Sequence, residues 1–154
     1  PPRHPMNKRQ IASTVAKVEQ YCIKRGVRLT PIRRQVLELL LTYPNVVKAY
    51  EILDELKKQR ESAAPPTVYR ALDFFVEIGV LHRAESLNGF VFCSHFDEAH
   101  TSVILNCTHC GKTEELAAQE PVDILLAFCR ERGFEVQEGP LVLSGECRDC
   151  QQIV

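Results

Sequence analysis

Apolar residues recur every three to four positions through the first half of the chain, then gather into short β-prone runs. Ile11, Val15, Val18 and Cys22 fall at helical spacing, with Lys, Arg, Gln and Glu on the other faces, until Gly26 stops the helix. Thr30 and Pro31 read as an N-cap and a first-turn proline. They open a second helix whose stripe is Ile32, Val36, Leu37, Leu39 and Leu40, ended by Thr42-Tyr43-Pro44-Asn45. A third helix is predicted over residues 48–59, with Ala49, Ile52, Leu53 and Leu56 inward. Pro65-Pro66-Thr67 then breaks the chain and starts a fourth helix, which runs to Glu77 and ends at Gly79. Val68, Leu72, Phe75 and Val76 form its buried stripe, so Tyr69, Arg70 and Asp73 project from a different face near its start.

Residues 80–85 and 90–93 are β-prone and joined by Ser86-Leu87-Asn88-Gly89, with Asn-Gly supplying turn residues. Helices followed by a hairpin make a winged-helix arrangement, in which the last helix enters the DNA major groove. Thr67, Tyr69 and Arg70 are therefore the candidate DNA-contacting residues. A bidentate contact from Arg70 to guanine is worth roughly 1–3 kcal/mol of discrimination, and Tyr69 suits thymine methyls. The plain alternative for both is exposed helix surface. Residues 94–100 form a polar joint without periodicity, which divides the chain into a winged-helix domain (1–93), a hinge (94–100) and a second domain (101–154).

In that second domain, residues 101–106 and 112–116 read as strands. Pro121 opens and Gly133 closes an amphipathic helix carrying Val122, Leu125, Leu126, Phe128 and Cys129. Residues 134–137 and 141–144 read as further strands. The class is α+β, an N-terminal winged helix with a small C-terminal α/β domain. So little core favours pairing with a second copy. Residues 1–6 carry no periodic pattern and are assigned no role.

With 154 residues, 45% of them hydrophobic, the chain can bury one moderate core or two small ones. No secretory segment or 18-residue apolar run is present, so a cytoplasmic protein with no membrane partner is expected. Seven cysteines then point to metal and reduced thiols rather than disulfides. The net charge of −1 hides an asymmetry: residues 1–85 hold 15 Lys/Arg against 9 Asp/Glu, while residues 86–154 hold 4 against 11. A basic front half suits a polyanion, although solvated charged faces would give the same count.

Cys107 and Cys110 form one thiolate clamp, and Cys147 and Cys150 form a second of identical spacing. Zinc takes four soft ligands at tetrahedral corners, and a two-residue spacer turns both sulfurs of a knuckle to one ion at about 2.3 Å. The 36 residues between the clamps exceed what a compact zinc ribbon uses, so the ion should staple a small domain. Removing the clamps leaves His82, Cys93, His95, His100, His109 and several carboxylates near the joint. Hairpin pairing can bring His82 near Cys93, His100 opens the next domain, and Glu115 follows the first clamp. Two imidazoles, a thiolate and a carboxylate suit zinc. A lone His or Cys is more often packed or hydrogen-bonded than a ligand, and spacing alone leaves both readings open, with His95 as a substitute ligand.

Pro66-Thr67-Val68-Tyr69-Arg70-Ala71-Leu72, the Leu29-Thr30-Pro31-x-Arg33 helix start and the two clamps resemble the ferric uptake regulator family, from about Val15 to Cys150. Iron sensors of that family resemble one another in a His-rich run before the first clamp, which here is reduced to His95 and His100. The pattern His82, Cys93, His100, Glu115 is instead similar to the sensory site of its zinc uptake regulator branch, and the four clamp cysteines to that branch's structural site. The resemblance implies a homodimer that binds two Zn2+ per chain and represses zinc-uptake genes by binding double-stranded operator DNA. With four residues after Cys150, no third, C-terminal His-rich site is expected. Three other readings compete: an iron or peroxide sensor of the same fold, a structural zinc protein that does not bind DNA, and a thiol oxidoreductase. Matched clamps, no phosphate-binding Gly-rich loop and no Ser-His-Asp or Cys-His catalytic grouping argue against an enzyme.

Overall fold

The computed structural model describes residues 5–98 and 100–152, so residues 1–4 of the unassigned N-terminal stretch, residue 99 of the expected hinge and residues 153–154 lie outside the described residues. The first half consists of α1 (Lys8–Lys24), α2 (Pro31–Leu41), α3 (Ala49–Gln59), α4 (Pro65–Glu77) and the antiparallel pair β1 (Leu81–Ala84) and β2 (Gly89–Phe92). Local chemistry fixes the helix starts. The Asn7 side chain accepts from the Gln10 N–H at 2.8 Å, and the Gln10 side chain accepts from the Asn7 N–H at 3.0 Å. Such a reciprocal cap contributes about 1 kcal/mol. Thr30 caps α2 through the Arg33 N–H. Ala64 offers α4 no side-chain cap, and Pro65 and Pro66 occupy the first turn, where a missing N–H costs nothing.

The four helices and the hairpin share one hydrophobic cluster, with Val18, Val36, Leu37, Ile52, Leu56, Leu72 and Phe75 fully buried. Removing side chains of this size from water stabilises by about 1.5–3 kcal/mol each. The expected stripes face the cluster, although Ile11, Ile32, Leu39, Ala49, Leu53 and Val76 are only partly buried, while Leu41 and Ala71 are core. Met6, expected to have no role, packs against this cluster. Arg33 accounts for its place in the helix-start motif. Its Nη1 donates to the Arg28 carbonyl at 2.7 Å and its guanidinium lies 3.7 Å from the Phe74 ring centroid, locking the start of α2 against α4. Arg83 on β1 pairs with Asp73 on α4 and ties the hairpin to that helix.

The hairpin turn differs from a two-residue Asn-Gly turn. A single 3-10 turn at Glu85–Leu87 precedes Asn88, which takes the left-handed conformation at φ 50, and Ala84 pairs with Gly89. Gly89 is required for close approach, because a Cβ there would stand 2.3 Å from Val46 Cγ1 and 2.8 Å from the Val47 carbonyl oxygen. That approach lets Val47 and Phe90 exchange main-chain hydrogen bonds of 3.0 and 2.8 Å, docking the α2–α3 connection on the hairpin.

The second half consists of β3 (Val103–Cys107), β4 (Thr113–Leu116), α5 (Gln119–Glu131), β5 (Leu141–Gly145) and the four-residue α6 (Arg148–Gln151). The sheet order is β4-β3-β5, with β4 antiparallel and β5 parallel to β3; α5 lies in the crossover that a parallel pair requires. Two expectations need correction. Helix α5 begins two residues before Pro121, which sits inside its first turn where proline is tolerated. Residues 134–137 are not a strand: after the Phe134 N–H closes α5 on the Cys129 carbonyl, no strand among the described residues lies beside them. Ile124, Leu125, Phe128, Phe134 and Leu143 are each more than half exposed, so α5, the segment after it and β5 present an uncovered apolar surface. Among the described residues no helix is long and apolar enough to cross a membrane.

Candidate metal centres and nucleic-acid face

The four clamp cysteines meet where β3 ends and α6 begins. Each offers a sulfur, and all four sulfurs lie within 4.8 Å of one another. Tetrahedral bonds of about 2.3 Å place two sulfurs about 3.8 Å apart. Cys110 Sγ and Cys147 Sγ are separated by 3.8 Å, so the donor set fits zinc. Main-chain N–H groups supply the charge stabilisation: donors at Cys110 and Cys147 hold the Cys107 thiol down to about 6. Cys150 is pushed up to about 12, first because its thiol hydrogen-bonds to Cys147 and then by burial. As thiolates the four sulfurs would repel one another at this distance, and a cation among them would relieve that repulsion. His109, between the first two cysteines, turns away and pairs with Glu146 at 2.6 Å.

The second cluster joins the two halves of the molecule. His82 lies on β1 opposite Val91, and Cys93 follows β2 with its N–H on the Val80 carbonyl, so both side chains fall on one face of the hairpin. His100 and Glu115, the latter on β4, come from the other side. The four donor atoms lie within 4.8 Å of one another. Cys93 Sγ is 3.4 Å from His100 Nε2 and 3.5 Å from Glu115 Oε1, and those last two atoms are 3.3 Å apart. A four-coordinate zinc with N, O and S ligands requires edges of about 3.3–3.6 Å, so this donor set fits as well.

The surroundings prepare these ligands. The Glu98 carbonyl oxygen, which can only accept, lies 2.8 Å from His100 Nδ1. The ring proton is therefore on Nδ1, leaving the Nε2 lone pair aimed into the cluster. Cys93 is fully buried, and burial followed by the nearby Glu115 carboxylate pushes its thiol up to about 12. At neutral pH it keeps its proton until a cation displaces it. His95 stands beside the cluster rather than in it: its ring centroid is 5.8 Å from that of His100, and its side chain is half exposed and 3.9 Å from Glu98. Ser102, absent from the sequence reading, is inside: its hydroxyl lies 2.8–3.0 Å from His82, His100 and Glu115.

On α4, Val68 and Ala71 face the core, which turns Tyr69 (51% exposed) and Arg70 outward and leaves Thr67 half buried in the first turn. Among the described residues, neither the Tyr69 nor the Arg70 side chain makes a hydrogen bond or ion pair.

The ferric uptake regulator family profile matches residues 24–144. The chain belongs to this family. It is 38% identical over 149 residues to the zinc uptake regulation protein of Escherichia coli strain K12, spanning 96% of this chain and 87% of that one. A solved zinc uptake regulator complexed with zinc and DNA is 38% identical and superposes with a TM-score of 0.85 over 93% of this chain and 96% of that one. XcZur has been solved in two states. The holo form, 44% identical, gives a TM-score of 0.80 over 90% of this chain and 97% of XcZur. The apo form, 42% identical over 92% and 97%, gives 0.54. This member of the ferric uptake regulator family therefore superposes better on the holo form than on the apo form, and its class is α+β.

Proposed function

We propose that this protein is a zinc-sensing transcriptional regulator that represses zinc-uptake genes when zinc is bound, acting in the cytoplasm as a homodimer on double-stranded operator DNA. The observation that carries this reading is the second cluster, whose His82 and Cys93 belong to the hairpin beside α4 while His100 and Glu115 belong to the joint and the sheet. Ligation there converts a joint into a fixed angle. The division into residues 1–93, 94–100 and 101–154 is part of the same proposal.

Two Zn2+ per chain would be held, one structural on Cys107, Cys110, Cys147 and Cys150, and one sensory on His82, Cys93, His100 and Glu115. At each site zinc supplies a redox-inert tetrahedral cross-link. The protein's part is to orient the ligands: Glu98 fixes the His100 tautomer, and Cys93 releases its thiol proton to water as it becomes a ligand. The apolar surface of α5 and the outer edge of β5 support pairing of two copies. In such a dimer the hinge angle sets the spacing of two α4 helices, which must match half-sites about 34 Å apart. Thr67, Tyr69 and Arg70 would read DNA. By linkage, operator DNA tightens zinc binding by the factor through which zinc tightens DNA binding. The relatives compared are named as regulators, and the reading is of a regulator rather than an enzyme.

The test is fluorescence anisotropy of purified protein on candidate promoter DNA across buffered free zinc, with anaerobic ferrous iron in parallel at fixed salt. Specific binding that rises with zinc is expected, and Cys93→Ser should abolish it while leaving a folded dimer. Binding driven by ferrous iron alone would move the protein to the iron- and peroxide-responsive sensors, and no specific binding with either metal would leave a structural zinc protein.

A further inference from the structure

Ser102 is not among the proposed ligands, yet its side chain stands against three of them. It is 2% exposed. Its hydroxyl oxygen is 2.8 Å from His82 Nε2, 2.9 Å from His100 Nε2 and 3.0 Å from Glu115 Oε1. The residue is anchored from behind, because the Leu141 N–H at the start of β5 donates to the Ser102 carbonyl at 2.9 Å. One side chain thus touches three of the four proposed ligands, while its main chain is fixed by the sheet.

Proton bookkeeping decides what the hydroxyl does. A serine carries one proton, whereas the Glu115 carboxylate only accepts and His100 Nε2 accepts because Nδ1 holds the ring proton. The stronger choice is the charge-assisted bond to the carboxylate. That choice leaves the His100 Nε2 lone pair for a cation. It also occupies Glu115 Oε1, the carboxylate oxygen seen 3.5 Å from Cys93 Sγ and 3.3 Å from His100 Nε2, on one side.

We infer that Ser102 is a positioning residue of the sensory site: its buried hydroxyl donates to Glu115 Oε1 and, standing 2.8 and 2.9 Å from the His82 and His100 Nε2 atoms, holds the carboxylate and the two rings in place for one ion. This inference rests on the proposed sensory role of His82, Cys93, His100 and Glu115, and its test separates the two.

Ser102→Ala, Ser102→Thr and Cys93→Ser are compared with the wild type as full-length protein with the clamp site filled. One readout is competition of a chelator for the second zinc equivalent; the other is the d–d absorption of the Co2+-loaded site, which weakens as coordination rises above four. Loss of a side chain that orients metal ligands lowers affinity by about 10–100-fold, and a loss of that size is expected for S102A, with altered cobalt bands. S102T retains the hydroxyl and should recover most of both signals. Unchanged zinc affinity and cobalt absorption in S102A, beside a Cys93→Ser protein that has lost the second equivalent, would overturn the role of Ser102 alone. A Cys93→Ser protein that still binds the second equivalent would overturn the sensory reading beneath it. If S102A fails to fold, S102T decides: near wild-type affinity upholds the inference, and a loss as deep as that of Cys93→Ser refutes it.

Discussion

Arg70 and Tyr69 stand one turn from the start of α4, turned away from a core that claims their neighbours Val68 and Ala71. A guanidinium with five donors can reach a guanine edge bidentately. Arg70→Ala should therefore cost roughly 1–3 kcal/mol of operator binding, measured by anisotropy against a scrambled duplex, and the loss should be larger on the operator. An equal loss on both sequences would make Arg70 a phosphate contact. At this scale the sequence was informative where side-chain chemistry is distinctive. Cysteine pairs at two-residue spacing announce themselves as donors, whereas spacing alone left the His, Cys and Glu residues around the joint open, and the family resemblance favoured them. Ser102 does not announce itself, since serine is common in every setting. The signal available was its placement two residues after His100, which puts both side chains on the same side of an extended segment.

Among elements, the hairpin depends on one residue without a side chain. Gly89→Ala would drive a Cβ into Val46 and the Val47 carbonyl, and overpacking of this kind costs about 1–3 kcal/mol. The expected outcome is a lowered melting temperature together with weaker zinc-dependent DNA binding, because His82 and Cys93 ride on the same hairpin. In the second half, the clamp secures the far end of the parallel β3/β5 ladder, with the Cys147 N–H on Cys107 Sγ at 3.4 Å. Cys107→Ser should lose the clamp zinc and, with it, the dimer, as read by metal content and size-exclusion chromatography; an intact zinc-replete dimer would contradict the structural role. Helices were legible because a 3.6-residue stripe needs only the local chain, and all four N-terminal stripes face the common core. Residues 134–137 misled because alternation marks a strand only when a neighbouring strand exists. Phe134 and Val136 have the residue types of a strand and no partner strand among the described residues.

Across the molecule, the halves are also linked by a contact outside the metal cluster. Asn45 Oδ1, in the α2–α3 connection, accepts from the Thr113 N–H at 3.0 Å and lies 3.5 Å from the Thr113 hydroxyl; Thr113 is 2% exposed. Thr113 opens β4, the strand that also carries Glu115. Asn45→Ala strands a buried donor at a cost of about 1–3 kcal/mol. Zinc stoichiometry should stay unchanged while operator affinity at saturating zinc falls, since the hinge would lose its second restraint. Unaltered affinity would show that the metal cluster alone sets the angle. No pattern in the chain could have revealed this contact, which joins a side-chain amide to a main-chain N–H 68 positions away.

The parallel pairing of β3 with β5 has a further consequence for the life history of the protein. Its partners are separated by β4, α5 and their connections, so the ladder forms only after a long loop has closed, an entropic cost that local helices do not bear. The cysteine cross-link shortens that search. On the proposed reading, a newly synthesised chain acquires its permanent ion as it matures and only afterwards can report on the exchangeable pool. In a starving cell the supply of working repressor would then be limited by metallation of nascent chains rather than by translation.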